Sequence, residues 1–307
     1  MANKITIIGA GQVGSTIAYA LSLKGTATEI VLIDIDTKRA MGEAMDIRQG
    51  TPYMSPVHIH EGNYEDAKDS DLVIITSGVA RKPGQSRLEL AQTNVNIMKS
   101  IIPQVTKSCP NAIYILVANP VDILTYQFVK TSGIPADRII GTGTLLDTAR
   151  LRTRIAEDCS VAQPNVHAYV FGEHGDSSFV PWSLANVATI PVKDYPVKVD
   201  LEGVEEYVRK SGGIIIEAKR CTNYAIGVTT AQLCEMIKNS NTSLSVVSTM
   251  LTGEYGINDV CLSILTKVGG NGVQGRIEAP LTDEERASLI HSADCLKKVI
   301  DQLDFSL

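Results

Sequence analysis

Lys4-Ile5-Thr6-Ile7-Ile8-Gly9-Ala10-Gly11-Gln12-Val13-Gly14 decides how the rest of this chain is read. An apolar, β-branched run ends in a G-x-G-x-x-G pattern that opens a helix, and this context turns a common glycine spacing into a candidate dinucleotide site. Gly9 permits the tight turn, Gly11 lets backbone approach a pyrophosphate, and Gly14 lets helix and strand pack closely. The amides and dipole at the helix start favour the phosphates. Asp34 agrees with this reading, because it closes the next apolar run 20 residues after Gly14. A carboxylate there accepts from ribose hydroxyls and repels a 2′-phosphate, which favours NAD over NADP. Lys38 and Arg39 nearby pull in the opposite direction, and a plain strand-end turn is the alternative for Asp34.

Outward from this stretch, short β-branched runs alternate with longer amphipathic ones, the pattern of βαβ units feeding a parallel sheet. Strands are expected at 4–8, 29–33, 57–60, 72–76, 113–117 and 138–140. Several are almost wholly apolar, so helices should cover both sheet faces. From about Leu145 the pattern changes to a long helix, a strand at 168–171, a hairpin-like region rich in Val and Pro, and two long helical stretches. The last begins at Thr282, where Thr282 and Glu285 spell a capping box ahead of Leu289, Leu296, Ile300 and Leu303. Gly212-Gly213 is expected to kink or divide the helix that starts near Leu201. The chain thus reads as α/β, divided into 1–143 and 144–307, with no linker to keep the halves apart.

With 307 residues, 44% of them hydrophobic, the chain can fill a sizeable core. A net charge of −6 without a basic stripe makes nucleic acid and anionic membrane poor partners. No signal-peptide pattern and no membrane-length apolar run is evident, so a cytoplasmic location is expected. The six cysteines, Cys109, Cys159, Cys221, Cys234, Cys261 and Cys295, have no C-x-x-C spacing and read as buried free thiols. His58 and His60 share a strand face like a metal pair, but no third ligand is evident near them in sequence, and no metal is expected.

A set of polar residues that no fold requires follows. Asn119-Pro120 ends a buried strand at the edge where open α/β sheets place ligands. Asp147 and Arg150 share a helix face. His174 stands in Gly172-Glu173-His174-Gly175-Asp176, between glycines and just after a strand, where an imidazole is exposed and Asp147 could orient it. Arg87 lies in a loop with Pro83 and Gly84 that could close over a ligand and expel water.

With the glycine motif, Asp34, Arg87, Asn119-Pro120, the run Gly141-Thr142-Gly143-Thr144-Leu145-Leu146-Asp147-Thr148-Ala149-Arg150 and the His174 segment together, the chain resembles the L-lactate/malate dehydrogenase superfamily over essentially its whole length. The resemblance implies a Rossmann-type doubly wound NAD-binding domain followed by an α+β substrate-binding and catalytic domain. It implies His174 as the proton acceptor and donor, Asp147 as the group that holds its imidazole, Arg150 as the clamp on the substrate C1 carboxylate, and Arg87 as the electrophile beside the reacting oxygen. Asn119 would bind that oxygen and Thr222 would line the pocket. Gln12, Val13, Arg39, Tyr64, Gly78 and Asn119 join Gly9, Gly11, Gly14 and Asp34 in the implied cofactor set. An inactive NAD-sensing protein on the same fold is the alternative from another class.

Arg81, six positions before Arg87, stands where lactate enzymes of the family carry glutamine and malate enzymes carry arginine. Thr222, Ser248-Thr249-Met250 and Tyr255-Gly256-Ile257 are lactate-like, so body and specificity position disagree. Two unit charges about 4 Å apart at an effective dielectric near 20 attract by about 4 kcal/mol, more than the roughly 1–3 kcal/mol of a misplaced methylene. Oxaloacetate and malate are therefore expected to be preferred, with pyruvate and lactate as the alternative. Arg152 and His167 match the residues that, in bacterial lactate dehydrogenases resembling this chain, bind fructose 1,6-bisphosphate at a subunit interface and promote a tetramer. The resemblance thus implies a homo-tetramer or homodimer, with an interface ion pair as the plainer role for these two residues.

Overall fold

The sheet begins with the opening strand β1 (Lys4–Ile8), which feeds α1 (Gln12–Lys24), then β2 (Glu29–Ile33), α2 (Thr37–Gly50), β3 (His58–Glu61) and β4 (Leu72–Ile75). There follow α3 (Arg87–Ser108), β5 (Ile113–Leu116), α4 (Val121–Thr131), β6 (Ile139–Gly141) and α5 (Leu145–Asp158). The second half holds β7 (Val166–His167), β8 (Asn186–Val187), β9 (Ile190–Pro191), α6 (Leu201–Lys219), α7 (Tyr224–Lys238), β10 (Ser243–Thr252), β11 (Asn258–Gly269), β12 (Gly272–Arg276) and α8 (Asp283–Ile300). The computed structural model describes residues 3–80, 84–239 and 241–306; Arg81 lies outside them.

Among the described residues a nine-stranded sheet runs β12-β11-β10-β6-β5-β4-β1-β2-β3. The six strands from β6 to β3 are parallel, and their order reverses between β1 and β4, which opens a crevice at the carboxyl ends of those two strands. Alternation along each strand builds two cores. Ile8, Val31, Ile33, Val73, Ile75 and Leu116 face α3, α4 and α8, whereas Ile5, Ile7, Ile30, Leu32, Ile74 and Ile115 face α1, α2 and α7. Period-2 burial on both faces is why these strands read as continuous apolar runs.

The second half is not a separate sheet. Ser248 of β10 pairs with Gly141 of β6, and the long β10–β11 hairpin extends the parallel sheet with antiparallel strands. Val246 and Val247 feed one core each, which welds the halves together. A third core lies between α5, α6 and the small β7-β8-β9 sheet.

Three expectations are corrected. Residues 168–171 form no strand, because the Val170 backbone is claimed by α5: its N–H donates to Thr148 Oγ1 at 3.0 Å and its carbonyl accepts from Thr144 Oγ1 at 2.5 Å. Only Phe171 makes a bridge, to Phe179. Gly212-Gly213 neither kinks nor divides α6, which runs unbroken from Leu201 to Lys219. A Cβ at Gly212 would make only ordinary contact with Arg150 Nη2, at 3.4 Å, and Gly213 faces open space. Cys221 and Cys295 are half-exposed rather than buried. The Thr282–Glu285 capping box is present in full, and α8 stops at Ile300, with Leu303 packing on the core beyond it.

Candidate active site

The glycine turn is shaped for a phosphate group. Gly9 has φ +104°, and a Cβ at Gly14 would meet the Gly9 carbonyl oxygen at 1.9 Å, so α1 can start this close to β1 only with glycine there. Beside Gly11 nothing lies within 4 Å of a Cβ, which leaves its backbone open to a ligand. Asp34 ties the turn to the end of β2: its Oδ2 accepts the Ala10 N–H at 2.6 Å and its Oδ1 the Asp36 N–H at 2.9 Å. These residues fit a dinucleotide. Arg39 stands on the exposed side of α2 facing Glu43 at 3.9 Å. Tyr64 packs against the first core and lines neither cavity described below.

A cavity of about 510 Å³ lies at the carboxyl ends of the parallel strands. Val13, Gly78, Asn119, Asp147, Arg150, His174 and Thr222 all line it. Sequence positions more than 200 residues apart thus converge on one space. In its wall Asp147 Oδ2 faces His174 Nδ1 at 2.5 Å, while Asp147 Oδ1 accepts from Arg150 Nη1 at 2.8 Å. Because Nδ1 donates to the carboxylate, Nε2 is the nitrogen left for a substrate. The Asp147 side chain is 8% exposed and that of His174 25%, so the carboxylate is hidden and the imidazole reachable.

Electrostatics follow from this geometry. Burial opposes the charged form of His174, but the Asp147 charge and hydrogen bond, aided by the Asp122 charge, outweigh it and raise the imidazole above its ordinary value. Burial likewise pushes Asp147 upward, yet His174 and Arg150 prevail and hold it below the usual carboxylate range. One buried anion therefore serves two cations.

Arg87 stands elsewhere. As the first residue of α3 it pairs with Asp176 at 2.6 Å, its side chain 71% exposed. It lines an adjoining cavity of about 770 Å³ that shares Asn119, His174 and Asp176 with the first. Arg152 is half-buried on α5 and His167 exposed on β7, away from both cavities.

Two residues escaped the sequence reading. Asp122 on α4, only 4% exposed, accepts the His174 backbone N–H at 2.7 Å. Burial raises its carboxyl to about 6, against the pull of the His174 amide and charge. Asn94 on α3 is also buried; its Oδ1 accepts the Val79 N–H at 2.8 Å and its Nδ2 donates to the Asn119 carbonyl at 2.7 Å, which ties Val79 to the Asn119 turn. The available signal was an ionisable or amide side chain inside an apolar helical segment, as Asp122 is between Val121 and Ile123.

Comparison with known proteins agrees with this architecture. Residues 3–141 match the lactate/malate dehydrogenase NAD-binding domain, and residues 144–305 match the lactate/malate dehydrogenase alpha/beta C-terminal domain. The chain is 44% identical to an L-lactate dehydrogenase of Thermoanaerobacter sp. (strain X514), covering 98% of this chain and 99% of that one. It is also 44% identical to an L-lactate dehydrogenase of Acetivibrio thermocellus, over 98% and 97% of the two chains. Among solved structures it resembles a minor L-lactate dehydrogenase from Enterococcus mundtii, with TM-score 0.96 and 39% identity over 99% of each chain. Matched along both halves, with a glycine turn that fits its cofactor NAD, this chain belongs to the lactate/malate dehydrogenase family of NAD-dependent oxidoreductases.

Proposed function

We propose that the chain interconverts a small 2-keto acid and its L-2-hydroxy acid, with oxaloacetate and malate preferred. The observation that carries the reaction is the Asp147 carboxylate held between His174 Nδ1 and Arg150 Nη1 in the wall of one cavity. When bound, NAD supplies the hydride chemistry. In reduction, His174 Nε2 gives its proton to the carbonyl oxygen, and in oxidation it takes the hydroxyl proton. Asp147 keeps the tautomer and stabilises the imidazolium. Arg150 grips the C1 carboxylate through parallel hydrogen bonds, for which lysine has no equivalent geometry. Arg87 leaves Asp176 to polarise the carbonyl together with Asn119, whose side-chain oxygen accepts from Val121 N at 3.3 Å and whose amide hydrogens remain to donate.

Asp122 acts through His174 as a positioning residue, by fixing its backbone and adding negative charge behind it. The preference for the second carboxylate rests on the charge of Arg81. A second reading, pyruvate and lactate, is favoured by the names of the relatives. We further propose that Arg152 and His167 bind fructose 1,6-bisphosphate, supported by the packing of α5 on β7; identical saturation curves with and without it would exclude this. Self-association, as a dimer or tetramer, is proposed through the apolar side chains left exposed on α1, α2 and α7.

The test of the reaction is His174→Gln, with NADH binding followed by fluorescence and turnover by absorbance. Turnover should fall about 10²–10⁴-fold with NADH affinity unchanged. Undiminished turnover removes His174 from the chemistry, and a wild type inert with every small 2-keto acid would favour the NAD-sensing alternative.

A further inference from the structure

The edge of the sheet holds a cluster that the reaction does not use. Parallel registry places Lys4, Glu29 and His58, the first residues of β1, β2 and β3, side by side at the end of the sheet opposite the active site. His60 follows His58 by two residues and shares its face. The two imidazoles stack with centroids 4.6 Å apart. Glu29 joins them, so that ligand atoms from all three side chains lie within 4.8 Å of one another. This is the third ligand missing from the linear sequence, because β2 and β3 are 29 residues apart in the chain yet adjacent in space.

The hydrogen bonding of His60 points to what belongs there. Its Nδ1 faces the Glu61 carbonyl at 2.9 Å, an acceptor, so Nδ1 carries the proton. Its Nε2 then presents a lone pair to Glu29 Oε1 at 3.3 Å, another acceptor. Two acceptors facing each other require a cation or an added proton between them. A backbone carbonyl that orients an imidazole through one nitrogen is also the usual arrangement behind a metal-bound histidine.

We propose that Glu29, His58 and His60 form a site for a borderline divalent transition cation of the zinc class, pinning the edge strand β3 onto β2. Two imidazoles and a carboxylate are a donor set that such cations accept, with water in the fourth position. Ligand atoms around one tetrahedral zinc lie about 3.4 Å apart, from metal–ligand bonds of about 2.1 Å. The exposed His58 ring therefore needs only a small rotation to close the present spacing. Lys4 opposes the site: its Nζ already lies 3.2 Å from Glu29 Oε1, and its charge repels a dication.

The test is equilibrium dialysis of the chelator-treated chain against zinc chloride, with metal counted per chain. Wild type should bind one zinc more than His58→Gln/His60→Gln, and Glu29→Gln should weaken that class at least about tenfold. Lys4→Gln should tighten it severalfold. Dehydrogenase turnover should be the same in all four proteins, since none of these residues lines the catalytic cavities. A different cluster, His291 Nε2 at 3.5 Å from Cys295 Sγ, serves as the control. Zinc uptake equal in wild type and the double histidine variant, or uptake that disappears only in Cys295→Ser, overturns the proposal and leaves an adventitious ion.

Discussion

Asp122 shows how one side chain can trade stability for chemistry. Its carboxyl, raised from 3.8 to about 6 by burial, binds a proton more readily folded than unfolded. Between those values stability therefore falls as pH rises, and above about 6 the folded chain carries a cost of about 3 kcal/mol. Asp122→Asn removes that cost while keeping an oxygen for the His174 amide. The difference in thermal midpoint between variant and wild type should thus shift toward the variant from pH 4 to pH 7; a constant difference would contradict the account. The same substitution removes negative charge from behind His174. Because keto-acid reduction needs the protonated imidazole, kcat/KM falls as pH rises through the raised His174 value. Asp122→Asn should move that limb to lower pH, and Asp147→Asn should move it further, since Asp147 is the nearer carboxylate. An unshifted limb in both variants would separate His174 from its carboxylates.

At the scale of elements, the strand-to-helix turn at β1–α1 makes two opposite expectations about glycine. Gly14→Ala forces a Cβ against the Gly9 carbonyl and should cost about 1–3 kcal/mol of stability, with loss of NADH binding. Gly11→Ala meets nothing in the protein, so it should melt like wild type while binding NADH more weakly; equal stability for both variants would refute the packing argument. Ser86 caps α3 through a complete capping box with Glu89, and Ser86→Ala should cost about 1 kcal/mol and loosen Arg87 at the next position. The features legible in the sequence are local: the glycine spacing, the Thr282–Glu285 capping box, the apolar strand runs, and the i,i+3 pair of Asp147 and Arg150. Non-local features were not. The β10–β11 extension depends on Ser248 meeting Gly141. The missing strand at 168–171 depends on threonines 26 and 22 residues before Val170, and the third member of the His58–His60 cluster comes from another strand. Gly212-Gly213 reads as a break from local propensity, yet α6 continues through it from Leu201 to Lys219.

For the whole molecule, two properties emerge from surfaces that local sequence describes poorly. Tyr19 and Leu23 on α1, Met41 and Met45 on α2, and Tyr224 and Val228 on α7 remain exposed, although these helices pack side by side. Under the proposed self-association these exposed apolar side chains would be covered by a second copy of the chain. Sedimentation should find a dimer or larger, and Leu23→Asp/Val228→Asp should dissociate it; a monomeric wild type would contradict that reading. Among the described residues no helix is long and apolar enough to cross a membrane. Substrate choice is the other property, and in the proposed reaction His174, Asp147, Arg150 and Arg87 would serve either acid. A second anion clamp is worth about 4 kcal/mol, or about a thousandfold in selectivity, so Arg81 should decide against the background of an otherwise lactate-like body. The most direct measurement is kcat/KM for oxaloacetate and for pyruvate, in wild type and in Arg81→Gln. The account predicts that wild type prefers oxaloacetate and that Arg81→Gln shifts the ratio strongly toward pyruvate; a wild type that prefers pyruvate, with a ratio unmoved by the substitution, would contradict it.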